Sequence, residues 1–429
     1  MNIGVISLGC AKNQVDTQTM LGYLKSAGHA FTAEPSEADI LIVNTCGFIT
    51  SAKEESIDAI FEMAQYKKIG RCRLLVVTGC LSERYRKELT EEMPEVDIFL
   101  GVREYEKLPR LIAEKLSLPC SPIIQPERLL VTPPYRAYLR IGDGCNNRCA
   151  YCAIPLIRGN LNSVPMERLI DEAKSLADLG VTELSVIAQD TSGYGKDLYG
   201  EPRMIPLLKG LNRIDGLKWV RLLYTYPDTV TPELLDTLAE GEKLVPYLDM
   251  PLQHCNDDLL RKMHRRGSKA HIMHVLDYIR NHYPDFTLRT TMMVGFPGET
   301  DAQFHELMQF LRDYPFDRVG AFSFSPEEGT AAAEMPDQIE EEQKEARLNA
   351  LMEQQQQISL SLNEHWIGRE LEMLVEETGM DGTYGRTMRE APDADGTVCI
   401  PPSYRHEPGQ YLRIRITQAD PYDMIGESL

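Results

Sequence analysis

The chain of 429 residues contains no run of eighteen apolar residues, so no segment reads as a membrane-spanning helix. It opens on MNIGVISLGCAKNQVD, a strand followed by polar chain, without a cationic stretch or a cleavage site. No secretory signal is expected, and the expected compartment is the cytoplasm. An excess of basic charge is also missing: 45 Lys and Arg face 65 Asp and Glu, a net charge of −20. Such a chain gains nothing overall from phosphate neutralisation, so nucleic acid is not the default partner. There is no internal repeat and no low-complexity tail. What is present is 43 % apolar and 26 % charged residues, enough to bury cores in two or three domains, together with ten cysteines. Without a secretory signal, those cysteines point to metal binding or catalysis and away from a disulfide framework.

The residues up to about 120 alternate β-rich runs with amphipathic stretches. NIGVISLG, ADILIVNTC and RLLVVTGC read as buried parallel strands, each followed by a helical segment (14–27, 52–65, 83–89). DIFLG and the segment 104–116 add a further unit. This is a doubly wound α/β pattern, whose ligand crevice lies outside the carboxyl ends of its strands. Three of those ends carry Cys10, Cys46 and Cys80. A Pro-rich connection (Pro119, Pro122, Pro126, Pro133, Pro134) leads into renewed βα alternation, with strands expected at 138–141, 183–188, 219–223, 247–250, 287–294 and 318–322. Helices are expected at 166–179, 269–282 and 301–314. Six units are too few to close an eight-stranded barrel, so a partial (β/α)6 barrel is expected, with function at the C-terminal ends of its strands. The polar segment 338–364 reads as a solvated linker helix. After Trp366, short alternating strands broken by Gly and Pro predict a small β-barrel. The expected domains are 1–122, 131–364 and 365–429.

The strongest chemical signal is Gly144-Cys145-Asn146-Asn147-Arg148-Cys149-Ala150-Tyr151-Cys152, a C-x3-C-x2-C loop just after a barrel strand. A structural zinc site needs a fourth ligand, and the neighbouring residues supply no His or Cys. Three thiolates from one loop can instead hold three irons of a [4Fe–4S] cube and leave the fourth open. The amino and carboxylate groups of S-adenosylmethionine can chelate an open iron, and one electron then splits a C–S bond. This loop resembles the signature of the radical-SAM superfamily. Cys10, Cys46 and Cys80, each beside a glycine (Gly9, Gly47, Gly79), read together as ligands of a second such cluster. Cys72, Cys120, Cys255 and Cys399 have no partner spacing and read as core or surface cysteines.

Two cysteine triplets and a terminal β-barrel resemble, over essentially the whole chain, the radical-SAM methylthiotransferase family. The resemblance implies an N-terminal methylthiotransferase domain, a radical-SAM partial barrel and a C-terminal TRAM domain. It also implies S-adenosylmethionine and two [4Fe–4S] clusters. Cys145, Cys149 and Cys152 would hold the cluster that cleaves S-adenosylmethionine; Cys10, Cys46 and Cys80 would hold the one that carries sulfur. One S-adenosylmethionine would supply the methyl group, and the radical from a second would remove hydrogen from the substrate carbon. Ser7-Leu8-Gly9-Cys10-Ala11-Lys12-Asn13, Asn44-Thr45-Cys46-Gly47-Phe48-Ile49, Leu248-Asp249-Met250-Pro251-Leu252-Gln253-His254, Phe324-Ser325-Pro326-Glu327-Glu328-Gly329-Thr330 and Asp393-Ala394-Asp395-Gly396 look like the RimO branch. That branch implies methylthiolation of the β-carbon of an aspartate in small-subunit ribosomal protein S-twelve. The alternative is a tRNA adenosine methylthiotransferase, whose branch usually carries Gln-Met-Asn after the first cysteine. Two positions depart from the RimO pattern: Ala11 replaces a usual Pro, and Val164 a usual Arg, so no contact from that Arg carries over.

Charge favours the protein substrate. From Gly368 onwards six arginines stand against twelve acids, a net −6 that would repel tRNA and attract a basic ribosomal protein. Gly295-Phe296-Pro297-Gly298-Glu299 resembles the family's glycine segment, so Gly295, Gly298 and Glu299 are candidate cofactor contacts. Gln189 and Asp190, at the end of another strand, are two more. His254 reads equally as a site residue or as a hydrogen-bonded structural histidine. The basic run 261–266 reads as a solvated or anion-facing helix end.

Overall fold

The computed structural model describes residues 1–119, 127–402 and 406–429. Cys120, Pro122, Pro126, Arg405 and the expected boundary at residue 122 lie outside the described residues. The N-terminal unit is a parallel sheet with spatial order Ala30–Phe31, Asn2–Ser7, Ile40–Thr45, Leu74–Gly79, Ile98–Phe99. Its two central strands are buried throughout, because apolar clusters cover both faces; this is why they read as continuous apolar runs. The two-residue edge strand Ala30–Phe31 is too short to leave a pattern in the sequence. Strand order reverses direction between Asn2–Ser7 and Ile40–Thr45, and the crevice of such a sheet opens outside the carboxyl ends at that point. Cys10 and Cys46 sit there.

The central unit places six parallel strands side by side in chain order: Arg136–Arg140, Glu183–Ile187, Trp219–Leu222, Tyr247–Asp249, Thr287–Val294 and Arg318–Ser323. Between the third and fourth the ladder thins to the Val220–Leu244 bridge. Leu139, Val186, Val220, Leu248 and Leu288 pack outward under helices Met166–Asp178, Lys269–His282 and Asp301–Asp313 in one core. Strand alternation turns Tyr138, Trp219, Arg221, Tyr247 and Arg289 the other way, into the lumen.

That lumen is plugged by the third unit, a closed five-stranded barrel made by Glu370–Thr378, Thr383–Thr387, Val398–Ile400, Met424–Ser428 and Tyr411–Ala419. Arg386 donates to Glu183 Oε2 at 2.6 Å, and Arg221 donates to the Met388 carbonyl at 2.8 Å. The Tyr247 hydroxyl reaches Asp395 at 2.5 Å, while Asp393 accepts from Arg136 at 2.8 Å and from the Tyr138 hydroxyl at 2.6 Å. Glu390 pairs with Arg318 at 3.2 Å. These contacts correct the charge argument. Glu390, Asp393 and Asp395, counted above as charge open to a partner, are committed to docking this barrel onto the central one.

The solvated-linker expectation for 338–364 is also overturned. Helix Glu341–Glu364 buries a stripe at Lys344, Arg347, Leu351, Gln355, Ser359 and Asn363, spaced three and four residues apart, along the free edge of the partial barrel. The stripe is polar because it caps unpaired backbone there. Gln355 donates to the Phe316 carbonyl at 2.9 Å, and Ser359 to that of Asp317 at 3.1 Å. A stripe of polar residues gives the helix almost no apolar periodicity, so it passes for a solvent-exposed one. Among the described residues no helix is long and apolar enough to cross a membrane.

Candidate active site

Each N-terminal cysteine stands where a strand gives way to a helix. Cys10 is the N-cap of Ala11–Ser26, Cys80 opens Cys80–Glu92, and Cys46 lies four residues ahead of Thr50–Ile69. None of these helices has a side-chain cap at its start, so their free amides and positive dipole ends favour negative thiolates nearby. The turns demand glycine. Gly9 has φ of 86° and Gly79 has φ of 98°, and a Cβ on Gly79 would lie 2.3 Å from the Thr45 carbonyl oxygen. Gly79→Ala therefore costs at least about 2 kcal/mol and lowers the iron retained by the N-terminal triplet. Denaturant titration and iron analysis of the variant check this; wild-type values in both would refute it.

The second triplet is held by the barrel. A two-residue antiparallel ribbon, Gly142–Asp143 against Asn162–Ser163, forms the base of its loop. Cys145 N–H bonds the Gly159 carbonyl at 3.1 Å, Ala150 N–H bonds that of Met263 at 2.9 Å, and Arg148 takes φ of 54° to turn the chain.

All six thiols line one cavity of about 560 Å³ between the N-terminal sheet and the barrel. Among the described residues no three of His, Cys, Asp and Glu converge on one point as a single ion requires. Thiolates that each take a different iron of a cube must stand farther apart than ligands of one ion. The donor set fits two clusters better than zinc. Burial pushes the Cys80 and Cys152 thiols up to about 12 and Cys145 up to about 11, so metal loading must displace their protons. Arg158 opposes this at Cys80, approaching its sulfur at 3.5 Å, and Arg265 approaches Cys149 at 4.0 Å.

Of the five candidate cofactor contacts, Gln189 and Asp190 line the cavity. Asp190 is occupied: it accepts from Asn147 of the cysteine loop at 2.8 Å and from the Ser192 hydroxyl at 2.6 Å. Gln189 donates to Asp143 at 3.2 Å, and its Oε1 is buried without a partner among the described residues. Gln253, held at φ of 71°, presents a second such oxygen. Two orphaned acceptors fit the amino and hydroxyl donors of S-adenosylmethionine. Gly295, Gly298 and Glu299 lie elsewhere. A Cβ on Gly295 would meet Lys344 at 2.4 Å, so that turn is shaped by helix Glu341–Glu364. Glu299 is buried, pairs with Arg347 at 2.8 Å, accepts from Gly295 N–H and faces His254 Nε2 at 3.3 Å. His254 is the structural histidine: it is fully buried and its Nδ1 accepts from Asn256 N–H at 2.9 Å.

Sequence reasoning passed over several wall residues. Arg265, in the run read as a solvated or anion-facing helix end, is not solvated: it is buried beside the Cys149 sulfur, stacks 4.4 Å over the Tyr226 ring and donates to the Tyr151 hydroxyl at 3.0 Å. Lys12 is buried with its Nζ 3.1 Å from the Tyr224 ring centre, and burial lowers it to about 8. Asn13 donates to the Leu8 and Thr45 carbonyls, both at 2.9 Å, and accepts from Arg158 at 2.8 Å. Lys12 and Asn13 were read only as part of the segment after Cys10 that resembles the RimO branch, with no role of their own.

Comparison with known proteins agrees with this geometry. Residues 2–101 match the family model described as uncharacterized protein family UPF0004, residues 139–311 the radical SAM superfamily, and residues 367–429 the TRAM domain. A ribosomal protein uS12 methylthiotransferase RimO of Heliobacterium modesticaldum is 46 % identical, over 100 % of this chain and 95 % of its own length. Those of Geobacter sulfurreducens and Clostridioides difficile are 45 % and 44 % identical, over 99 % and 100 % of this chain and 98 % and 99 % of their own. Among solved structures, the radical S-adenosylmethionine methyltransferase TsrM of Kitasatospora setae superposes with a TM-score of 0.56 at 13 % identity, covering 75 % of this chain and 72 % of that one, a likeness of fold alone. With full-length relatives, three matching domains and six thiols around one cavity, the chain belongs to the RimO family of radical-SAM ribosomal protein uS12 methylthiotransferases.

Proposed function

We propose that this chain adds a methylthio group to the β-carbon of an aspartate of ribosomal protein uS12, with Cys145, Cys149 and Cys152 holding one [4Fe–4S] cluster and Cys10, Cys46 and Cys80 the other. The observation that carries this reading is the convergence of two thiol triplets, from two domains, on one cavity. When bound, S-adenosylmethionine and the two clusters supply a hydrogen-abstracting radical and a sulfur donor. The protein supplies position. Phe48, Ile49, Tyr151 and Tyr226 wall the cavity and exclude water from a reactive carbon centre. Gln189 and Gln253 offer acceptors that orient S-adenosylmethionine, and Arg158 and Arg265 place positive charge beside thiolate sulfur.

Mass spectrometry after an anaerobic reaction tests the reading. Reconstituted enzyme with S-adenosylmethionine, sulfide and reductant is incubated in parallel with uS12 and with unmodified tRNA. The expected result is replacement of one hydrogen by SCH3 on an aspartate of uS12, with tRNA unchanged. A modified adenosine instead would keep the chemistry and reject the substrate.

A further inference from the structure

Three cationic side chains line the cavity between the triplets: Lys12, Arg158 and Arg265. Two are committed. Arg158 donates to Asp16 at 2.8 Å, Asn13 at 2.8 Å and Asp143 at 3.1 Å. Arg265 donates to the Tyr151 hydroxyl at 3.0 Å and the Pro251 carbonyl at 2.5 Å. Lys12 differs. It is 8 % exposed, and among the described residues no carboxylate lies within 4.0 Å of its ammonium. Its close neighbour is the face of Tyr224, which attracts a cation without neutralising it. Cys10 and Asp249 are the negative groups that favour its charge, Asp249 from beyond 4.0 Å and already paired with Arg289 at 2.9 Å. A buried cation so thinly compensated is costly, and an anion entering the same water-poor space relieves that cost.

The substrate read above brings such an anion. We propose that Lys12 receives the side-chain carboxylate of the aspartate to be modified and thereby selects aspartate, an inference that rests on the proposed function. The position suits the reaction. Lys12 is two residues beyond Cys10, on the wall built by the N-terminal triplet. In aspartate the β-carbon is bonded directly to the carboxylate carbon. Holding that carboxylate at Lys12 therefore keeps the β-carbon beside the triplet assigned to sulfur, within the cavity that the other triplet also lines. An asparagine side chain has the same shape and no charge, so it loses the pairing.

The test compares full-length reconstituted wild type, Lys12→Met and Lys12→Arg on uS12 carrying either aspartate or asparagine at the target. Binding is read by fluorescence anisotropy without reductant, and methylthiolation by mass spectrometry with it. Wild type is expected to bind the aspartate form at least about 30-fold more tightly. Lys12→Met should bring that ratio close to one, and Lys12→Arg should restore part of it. A general loss of structure would weaken both forms equally and leave the ratio unmoved. An unmoved ratio in Lys12→Met, with the wild type active, overturns this inference alone. So does weaker S-adenosylmethionine binding with discrimination retained, which would assign Lys12 to the cofactor. A wild type that leaves uS12 unmodified overturns the proposed function and this inference with it.

Discussion

Cys10→Ala is expected to form 5′-deoxyadenosine from S-adenosylmethionine and to transfer no methylthio group, whereas Cys149→Ala is expected to do neither. The expectation follows from where the thiols stand. Cys10 belongs to the N-terminal sheet and is exposed, so trimming its sulfur leaves no hole in a core. Cys149 belongs to a loop of the barrel, tied through Asn147 to Asp190 and through Ala150 to Met263, with no bond to the N-terminal sheet among these. Each triplet can therefore lose a ligand without unfolding the other. Iron should fall from about eight to about four atoms per chain in either variant, as expected when one of two four-iron clusters is lost. The two chemistries should then separate cleanly, by chromatography for 5′-deoxyadenosine and mass spectrometry for the substrate. Methylthio transfer surviving in Cys10→Ala would remove the N-terminal triplet from the reaction. Loss of 5′-deoxyadenosine in that variant would mean that the triplets act as one site.

How much of this could be read beforehand depended on whether a signal was local. The cysteine loop 145–152 and the glycines beside Cys10, Cys46 and Cys80 are local signatures, so both triplets were legible. The sheet strands were legible too, because strands covered on both faces leave unbroken apolar runs. What escaped were residues defined by partners far along the chain. Arg265 sits in a basic run that reads as a solvated or anion-facing helix end, and only the fold brings Cys149, Tyr151 and Tyr226 to it. Helix Glu341–Glu364 hid for the converse reason: its buried stripe satisfies the backbone of a barrel edge with Gln355 and Ser359. The third barrel's acids looked like free charge because Arg136, Tyr247 and Arg318, which pair with Asp393, Asp395 and Glu390, lie up to 257 residues away in the chain. The glycine turn at Gly295 carried a genuine local signal for close approach. That approach is made by Lys344 and not by the cavity.

Arg158→Met is expected to destabilise the protein by about 3–5 kcal/mol and to strip iron from the N-terminal triplet. The Arg158 side chain is 1 % exposed and reaches from the barrel into the N-terminal domain, where Asp16 and Asn13 accept from it. Asp16 is fully buried and retains Arg140 when Arg158 is removed, but one cation then serves where two did. Asn13 loses the donor to its Oδ1, and Cys80 loses the guanidinium that opposes the upward push of burial on its thiol. Methionine fills a similar volume, so the loss comes from broken polar contacts and not from a cavity. Asp16→Asn in the same background separates the terms, because it removes the carboxylate that Arg158→Met leaves underpaired. The double variant should be more stable than the sum of the two single losses predicts, by about 1–3 kcal/mol. Urea unfolding monitored by fluorescence and circular dichroism measures this cycle. Strict additivity would show that Arg158 and Asp16 are close without being coupled, which would leave Asn13 and the pairs of Glu327 with Lys53 at 2.9 Å and Arg84 at 3.1 Å as the polar contacts across this boundary to test next.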